Sequence, residues 1–203
     1  MGMRIPIFPL QIVLFPEAAL PLHIFEPRYK EMIRDCQANG SAFGVVHAER
    51  GELAVTGCMA NIVRVLERYE DGRLDILTRG CERFQIVALD ESASYLQAEV
   101  KFCEENIDPA PRALKEAAAA LHFEFLERSG GGVEDISRIR LDQPVSFLLA
   151  DALPIPFTQQ QALLSTDSDT KRTMMLLDIY EELFAHLSIH GGDDGSGKSR
   201  MVH

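Results

Sequence analysis

The string Gly192-Asp-Asp-Gly-Ser-Gly-Lys-Ser199 satisfies the spacing GxxxxGK[ST], in which glycines let backbone amides close on a phosphate and a lysine neutralises it. That chemistry needs a buried strand before the loop and a helix after it, so that the first amides of the helix point at the phosphates. Here the preceding segment, Leu176–Leu187, has helical spacing, and four residues, Arg200-Met-Val-His203, follow the string. Asp193 and Asp194 add negative charge where a phosphate would lie. The string therefore reads as a polar tail, and a nucleotide-dependent enzyme is the weaker alternative. His186 and His190 are four apart and could share a helix face, but no HExxH surrounds them and a Gly pair follows, so they read as a surface pair at a helix end. No GxSxG elbow is present. Cys36, Cys58, Cys81 and Cys103 are widely spaced with no CxxC pair, which argues against structural zinc and for buried, reduced thiols. The residues predict no catalytic group, no metal site and no cofactor.

Composition narrows the partners. The 203 residues are 46% hydrophobic and 25% charged, an ordinary globular balance, with a formal net charge of −11. Residues 104–203 hold 9 Lys+Arg against 17 Asp+Glu, so the acidic excess lies mostly in the second half. Nucleic-acid binders neutralise phosphates with a basic face, so nucleic acid is a poor fit. No apolar run approaches the ~18 residues of a membrane span. The apolar start, Met1–Leu22, is broken by Pro6, Pro9, Pro16 and Pro21, unlike a signal peptide. A cytoplasmic protein is expected.

Two kinds of element are predicted to position whatever site exists. Residues 1–107 read as β-rich. Prolines 6 to 21 exclude helix and favour extended chain and turns. Pro27 opens one short helix, in which Tyr29, Met32, Ile33 and Cys36 face inward and Gly40 is the stop. Strands are expected at Phe43–His47, Val55–Leu66, Leu74–Thr78, Phe84–Leu89 and Tyr95–Phe102, with Gly80 interrupting and a hairpin turn at Tyr69-Glu-Asp-Gly72. Such strands suit a small barrel or a sandwich. Residues 108–189 read as helical, with helices over 112–128, Gln143–Leu153 and around Leu176, Tyr180, Leu183 and Leu187. Thr158 with Gln161, and Thr166 with Asp169, fit capping boxes. Residues 190–203 are polar and Gly-rich and are expected to be disordered.

One series of motifs is more specific than any element. It runs Ile7-Phe-Pro-Leu10, Val13-Leu-Phe-Pro16 and Leu20-Pro-Leu-His-Ile-Phe-Glu-Pro-Arg-Tyr29. It continues through Gly57-Cys-Met-Ala-Asn-Ile62, Asp71-Gly-Arg73, Gly80-Cys-Glu-Arg-Phe84, Gln161-Ala-Leu-Leu164 and Asp169–Leu177. In this order, over about residues 5–187, it resembles the N-terminal substrate-binding domain of the Lon protease family. The resemblance implies an α+β fold, with a twisted, PUA-like (pseudouridine-synthase-associated) β subdomain followed by a helical bundle. The chain departs from the family pattern at Glu17, where glycine is usual. It stops before the ATPase and Ser–Lys peptidase domains of a full Lon protease, so it resembles the stand-alone bacterial members and neither activity is carried over.

The implied function is non-catalytic binding of polypeptide segments. Unfolded or partly folded polypeptides, and a protease system, are the expected partners. The candidate recognition residues are His23, Glu26, Arg28 and Tyr29, expected to edge a surface on a rigid scaffold, while Phe8, Phe15, Leu22, Ile24 and Phe25 are expected to fill core. Glu26 or Arg28 is expected to cap the helix that Pro27 opens. The physical form expected of this binding is an apolar groove, between the β and α parts, that accepts exposed hydrophobic segments. RNA binding, suggested by the PUA-like fold alone, is the other alternative.

Overall fold

A computed structural model describes residues 3–104, 108–130 and 139–190. Seven strands, β1 (Met3–Leu10), β2 (Ala19–Ile24), β3 (Phe43–Glu49), β4 (Glu52–Leu53), β5 (Thr56–Arg68), β6 (Leu74–Asp90) and β7 (Gln97–Phe102), form one sheet. Helix α1 (Pro27–Asn39) follows β2. Helices α2 (Arg112–Ser129), α3 (Ser146–Asp151), α4 (Phe157–Ser165) and α5 (Asp169–His190) come after the last strand.

The pairings run β1-β7-β6-β5-β3, and β3 returns to β1 in parallel, which closes five strands into a small barrel. Every barrel strand contributes to its interior: Ile5 and Ile7, Val46, Met59, Phe84, Ala98 and Val100. Phe84 fills the centre because two glycines make room for it. A Cβ on Gly44 or Gly57 would stand 2.6 Å from its ring. A larger apolar cluster lines the outside of the barrel, takes in the buried side of α1, and runs on into α2–α5.

Local chemistry explains most boundaries. Pro27 begins α1, and Gly40 ends it in the left-handed conformation (φ 62°), donating its N–H to the Cys36 carbonyl. Arg50 and Gly51, both at positive φ, turn β3 into β4. Gly72 (φ 82°) closes the β5–β6 turn onto the Tyr69 carbonyl. Glu17 adopts φ 66°, a region that glycine occupies without strain, which accounts for glycine being usual there. That turn is held against β6. The Glu17 N–H donates to Gly80 O, Gly80 N–H donates to Ala18 O, and a Cβ on Gly80 would meet the Phe15 carbonyl oxygen at 2.1 Å.

Several expectations need correction. Gly80 does not break a strand: β6 is continuous for 17 residues, pairing β2 and β5 with its first part and β7 with its second. Bulges bend these long strands. Val63 and Leu66 are extra residues in β5 opposite β6, and Val87 is extra in β6 opposite β7. The helix expected at Gln143–Leu153 is confined to Ser146–Asp151. Thr158 lies inside α4, whose N-cap is Pro156, so it makes no capping box. The cap of α5 comes from Ser168, whose Oγ accepts the Lys171 N–H, while the Thr166 hydroxyl donates back to Ala162 O. Cys36 and Cys58 are buried, but Cys81 and Cys103 are half-buried.

Two buried arginines join sheet and helices. Arg83, in β6, donates to the carbonyls of Leu164 (2.6 Å) and Thr166 (3.3 Å) and pairs with Asp167. Arg172, in α5, donates to Thr166 O (2.6 Å) and Asp167 O and also pairs with the buried Asp169. Both guanidiniums lie within cation–π distance of Phe147. Asp169 in turn accepts from the Ala110 N–H and the Ser146 hydroxyl, tying the starts of α2 and α3 to α5.

Candidate functional site

The four predicted residues come together. His23, Glu26, Arg28 and Tyr29 all line one hollow of about 370 Å³ between β1, β2 and the start of α1. The alternation of β2 explains His23: Leu22 and Ile24 turn towards the core and His23 outwards. Opposite it in the ladder is Asp75, and His23 Nδ1 lies 2.5 Å from Asp75 Oδ1. The other Asp75 oxygen accepts the Tyr69 hydroxyl at 2.7 Å. The His23 and Tyr69 hydrogen bonds hold the Asp75 carboxyl below the usual carboxylate range. In the same exchange the Tyr69 phenol is pushed up to about 12, chiefly because its proton is held by Asp75. The imidazole is thereby fixed in orientation, with its side chain still 44% exposed.

Phe25 stacks beside His23, with ring centroids 5.9 Å apart, and is 58% exposed. It is a wall of the hollow rather than the core residue expected. The signal was in the sequence: Phe25 continues the outward phase of His23 by two residues. Glu26 is the N-cap residue of α1 but makes no side-chain cap; its carboxylate pairs with Arg28 at 2.8 Å. Arg28 lies over the Tyr29 ring, 4.6 Å from its centroid. Tyr29 is 7% exposed and packs on Phe8 at 4.1 Å between centroids, so it floors the hollow instead of edging an open surface. Burial raises the Tyr29 phenol above its ordinary range, which keeps it neutral and apolar in character.

A second hollow, about 280 Å³, shares Pro9, Arg28 and Tyr29 with the first and extends to Tyr95 and Leu96. The two form one groove across the head of α1. Tyr95 is pinned by its hydroxyl to Asp35, at 3.1 Å. Nothing in its spacing in the sequence connects it to His23.

The expected junction between sheet and helices also carries hollows. One of about 590 Å³ lies between the β3–β4 hairpin and α4, and one of about 250 Å³ lies between the Ile12–Leu20 segment and α3–α4. Phe157 lines both. Among the described residues no group of three or more His, Cys, Asp or Glu could hold a metal ion, and no helix is long and apolar enough to cross a membrane. The Gly192–Ser199 string and the His190 side chain lie outside the described residues.

Comparison with known proteins places the fold. Residues 4–182 match the family model for the ATP-dependent protease La (LON) substrate-binding domain. The chain is 27% identical to Lon protease 2 of Myxococcus xanthus over 97% of its own length and 26% of that protein. It is 37% identical to the Lon protease of Parabacteroides distasonis over 52% of this chain and 14% of that protein. It therefore spans about a quarter or less of these relatives. Among solved structures, a Lon N-terminal domain protein from Xanthomonas campestris superposes with a TM-score of 0.71 at 30% identity, covering 87% of this chain and 98% of that one. The N-terminal domain of the Mycobacterium avium complex Lon protease superposes with a TM-score of 0.70, covering 89% and 99%; at 22% identity it speaks for the fold alone.

Proposed function

The chain belongs to the Lon substrate-binding domain family, and from that premise we propose that it binds exposed polypeptide segments in the groove across β2 and the head of α1. One observation carries the placement: an exposed aromatic, Phe25, directly follows the strand whose His23 is locked by Asp75, at the mouth of a hollow floored by Tyr29 and Phe8. An apolar side chain entering the hollow meets Phe25, Leu22 and Leu10, while Glu26, Arg28 and His23 supply a polar rim. Full burial of one large apolar side chain is worth about 1.5–3 kcal/mol, so a segment offering two such side chains binds weakly but usefully. A surface of this kind is sequence-tolerant, which suits unfolded or partly folded clients handed to a protease system.

The reading is one of binding without chemistry. The first hollow is lined by no serine, threonine or cysteine, and Nδ1 of its imidazole is engaged with Asp75. A cytoplasmic setting belongs to the same proposal, supported by cysteines that form no disulfide among the described residues.

The test is a titration of the 203-residue protein with an extended peptide carrying two leucines, followed by amide chemical shifts and calorimetry. Shifts should centre on residues 22–29 and 95, and Phe25→Ala should weaken binding by roughly fivefold with little change in stability, because the ring is already half in solvent. Unchanged affinity in Phe25→Ala together with shifts confined to other surfaces would reject the placement.

A further inference from the structure

The hollow between the β3–β4 hairpin and α4 shares no lining residue with the β2–α1 groove. Two buried polar atoms, His47 Nδ1 and Gln161 Oε1, have no hydrogen-bond partner among the described residues, and both residues line this hollow. Buried polar groups left unpaired are rare and costly, so each marks a place where a partner belongs. The orientation of Gln161 is settled by its amide nitrogen, which donates to Thr56 O at 2.9 Å and to Ser165 Oγ. The free atom is therefore the carbonyl oxygen, an acceptor that a ligand must meet with a donor. His47 in its Nε2–H tautomer offers Nδ1 as a second acceptor.

The rest of the lining points the same way. Glu49 and Glu52 face one arginine, Arg50, so the local charge is net negative. Arg50 lies 3.8 Å from Glu49, whereas Glu52 has no ion pair among the described residues. Phe157, 43% exposed, stands 4.8 Å from the His47 ring and presents an aromatic surface. The start of α4 disfavours a cation beside Phe157 itself, but Gln161 is one helical turn further on. A planar cation rich in donors meets all of these demands, and guanidinium is the group that combines several N–H donors with stacking on aromatic rings. Beside the hollow, β4 ends the sheet order, with its pairing to β3 on one side. A polypeptide can lie along such an edge.

We infer that this hollow is a recognition site for an arginine side chain of a bound extended polypeptide, separate from the apolar groove. The inference rests on the polypeptide-binding reading for its ligand and adds a charge preference to it.

The experiment uses the full chain, isotope-labelled, and three probes beside the two-leucine peptide already named. They are a polar decapeptide with one central arginine, the same peptide with citrulline, and capped arginine alone. The arginine peptide should bind at least fivefold tighter than the citrulline peptide and shift the Gln161 side-chain amide and residues 49–54. Glu52→Gln and Phe157→Ala should each weaken it by roughly threefold, as expected for one exposed charge and one half-exposed cation–π contact. Equal binding of arginine and citrulline peptides, or shifts that bypass Gln161, overturns the inference. Capped arginine binding as tightly as the peptide overturns its polypeptide source. If the dileucine peptide still shifts residues 22–29 in either case, the proposed function stands while this inference falls; loss of both signals sinks both.

Discussion

Replacing Arg83 by methionine tests whether the buried guanidinium is what holds the sheet to the helices. Arg83 is 0% exposed and donates to Leu164 O at 2.6 Å, Thr166 O at 3.3 Å and Asp167 Oδ1 at 3.2 Å. Methionine fills similar space but donates nothing. Thr166 O keeps its bond from Arg172, and Asp167 is half in solvent, so among these three partners the one that loses most is the Leu164 carbonyl. Loss of a hydrogen bond from a charged donor costs about 1.5–3 kcal/mol, and the lesser contacts to Thr166, Asp167 and Phe147 add to it. Against this stands the relief of no longer burying a charge, which offsets a smaller part of the loss because the charged partner, Asp167, is half in solvent. The net expectation is a destabilisation of about 2–4 kcal/mol, or roughly 6–12 °C in Tm for a domain of this size. Urea unfolding gives the free energy, and limited proteolysis within residues 164–169 gives the location. Asp167→Ala, removing the exposed member, should cost below about 1 kcal/mol. A loss below about 1 kcal/mol in Arg83→Met, or a loss in Asp167→Ala as large as that of Arg83→Met, refutes the reasoning.

Three further outcomes can be measured. Glu17→Gly should stabilise the protein by about 0.5–1 kcal/mol, since relief of the left-handed backbone exceeds the entropy that glycine adds to the unfolded chain; the 3.6 Å pair with Arg79 is too exposed to offset this. Chemical denaturation checks it. Gly57→Ala should cost about 2–3 kcal/mol in the same assay, because its Cβ would stand 2.6 Å from both the Phe84 ring and the Val45 carbonyl oxygen. His122 is buried between α2 and α5 at 2.8 Å from the Tyr180 hydroxyl, and burial lowers its pKa below 6.5. The unfolded chain then takes up the proton first, so this contribution is complete above the unfolded value and is lost as pH falls through the lowered one. Unfolding free energies measured from pH 7.5 to 5 should fall more steeply for the wild type than for His122→Gln; parallel curves would count against it.

Much of the fold was legible because several residues have one reading. Pro27 and Gly40 bound α1 by their own backbone limits, and Asp71-Gly72 made the β5–β6 turn plain. The facing of β5 was not legible. Ile62 and Val65 pack on the core while Val63 and Leu66 are exposed, a spacing of three that no period of two predicts. The bulges produce it, and bulges arise from pairing with a partner strand far along the chain. The capping boxes failed for a related reason: Pro156 and Ser168 begin their helices, and the plausible Thr158 and Thr166 lie on the wrong side of those boundaries. At the groove, the motif Leu20–Tyr29 marked the segment that supplies most of the first hollow's lining. Asp75 and Tyr95, which pair across the sheet or close the far end, were beyond any local spacing.

The bulges have one consequence for how such a chain can change its length. An extra residue in a ladder is a residue the ladder can spare. Without Val63, Ile62 and Arg64 would stand next to each other opposite Thr78 and Leu77, and every downstream partner would keep its place. The inward residues would then alternate regularly. The same holds for Leu66 and Val87 in their own ladders. Single-residue deletions, normally ruinous inside a strand because they turn every later side chain over, are absorbed at these points. Homologues can therefore gain or lose a residue in the middle of β5 or β6 without moving the groove at His23 or the clasp at Arg83.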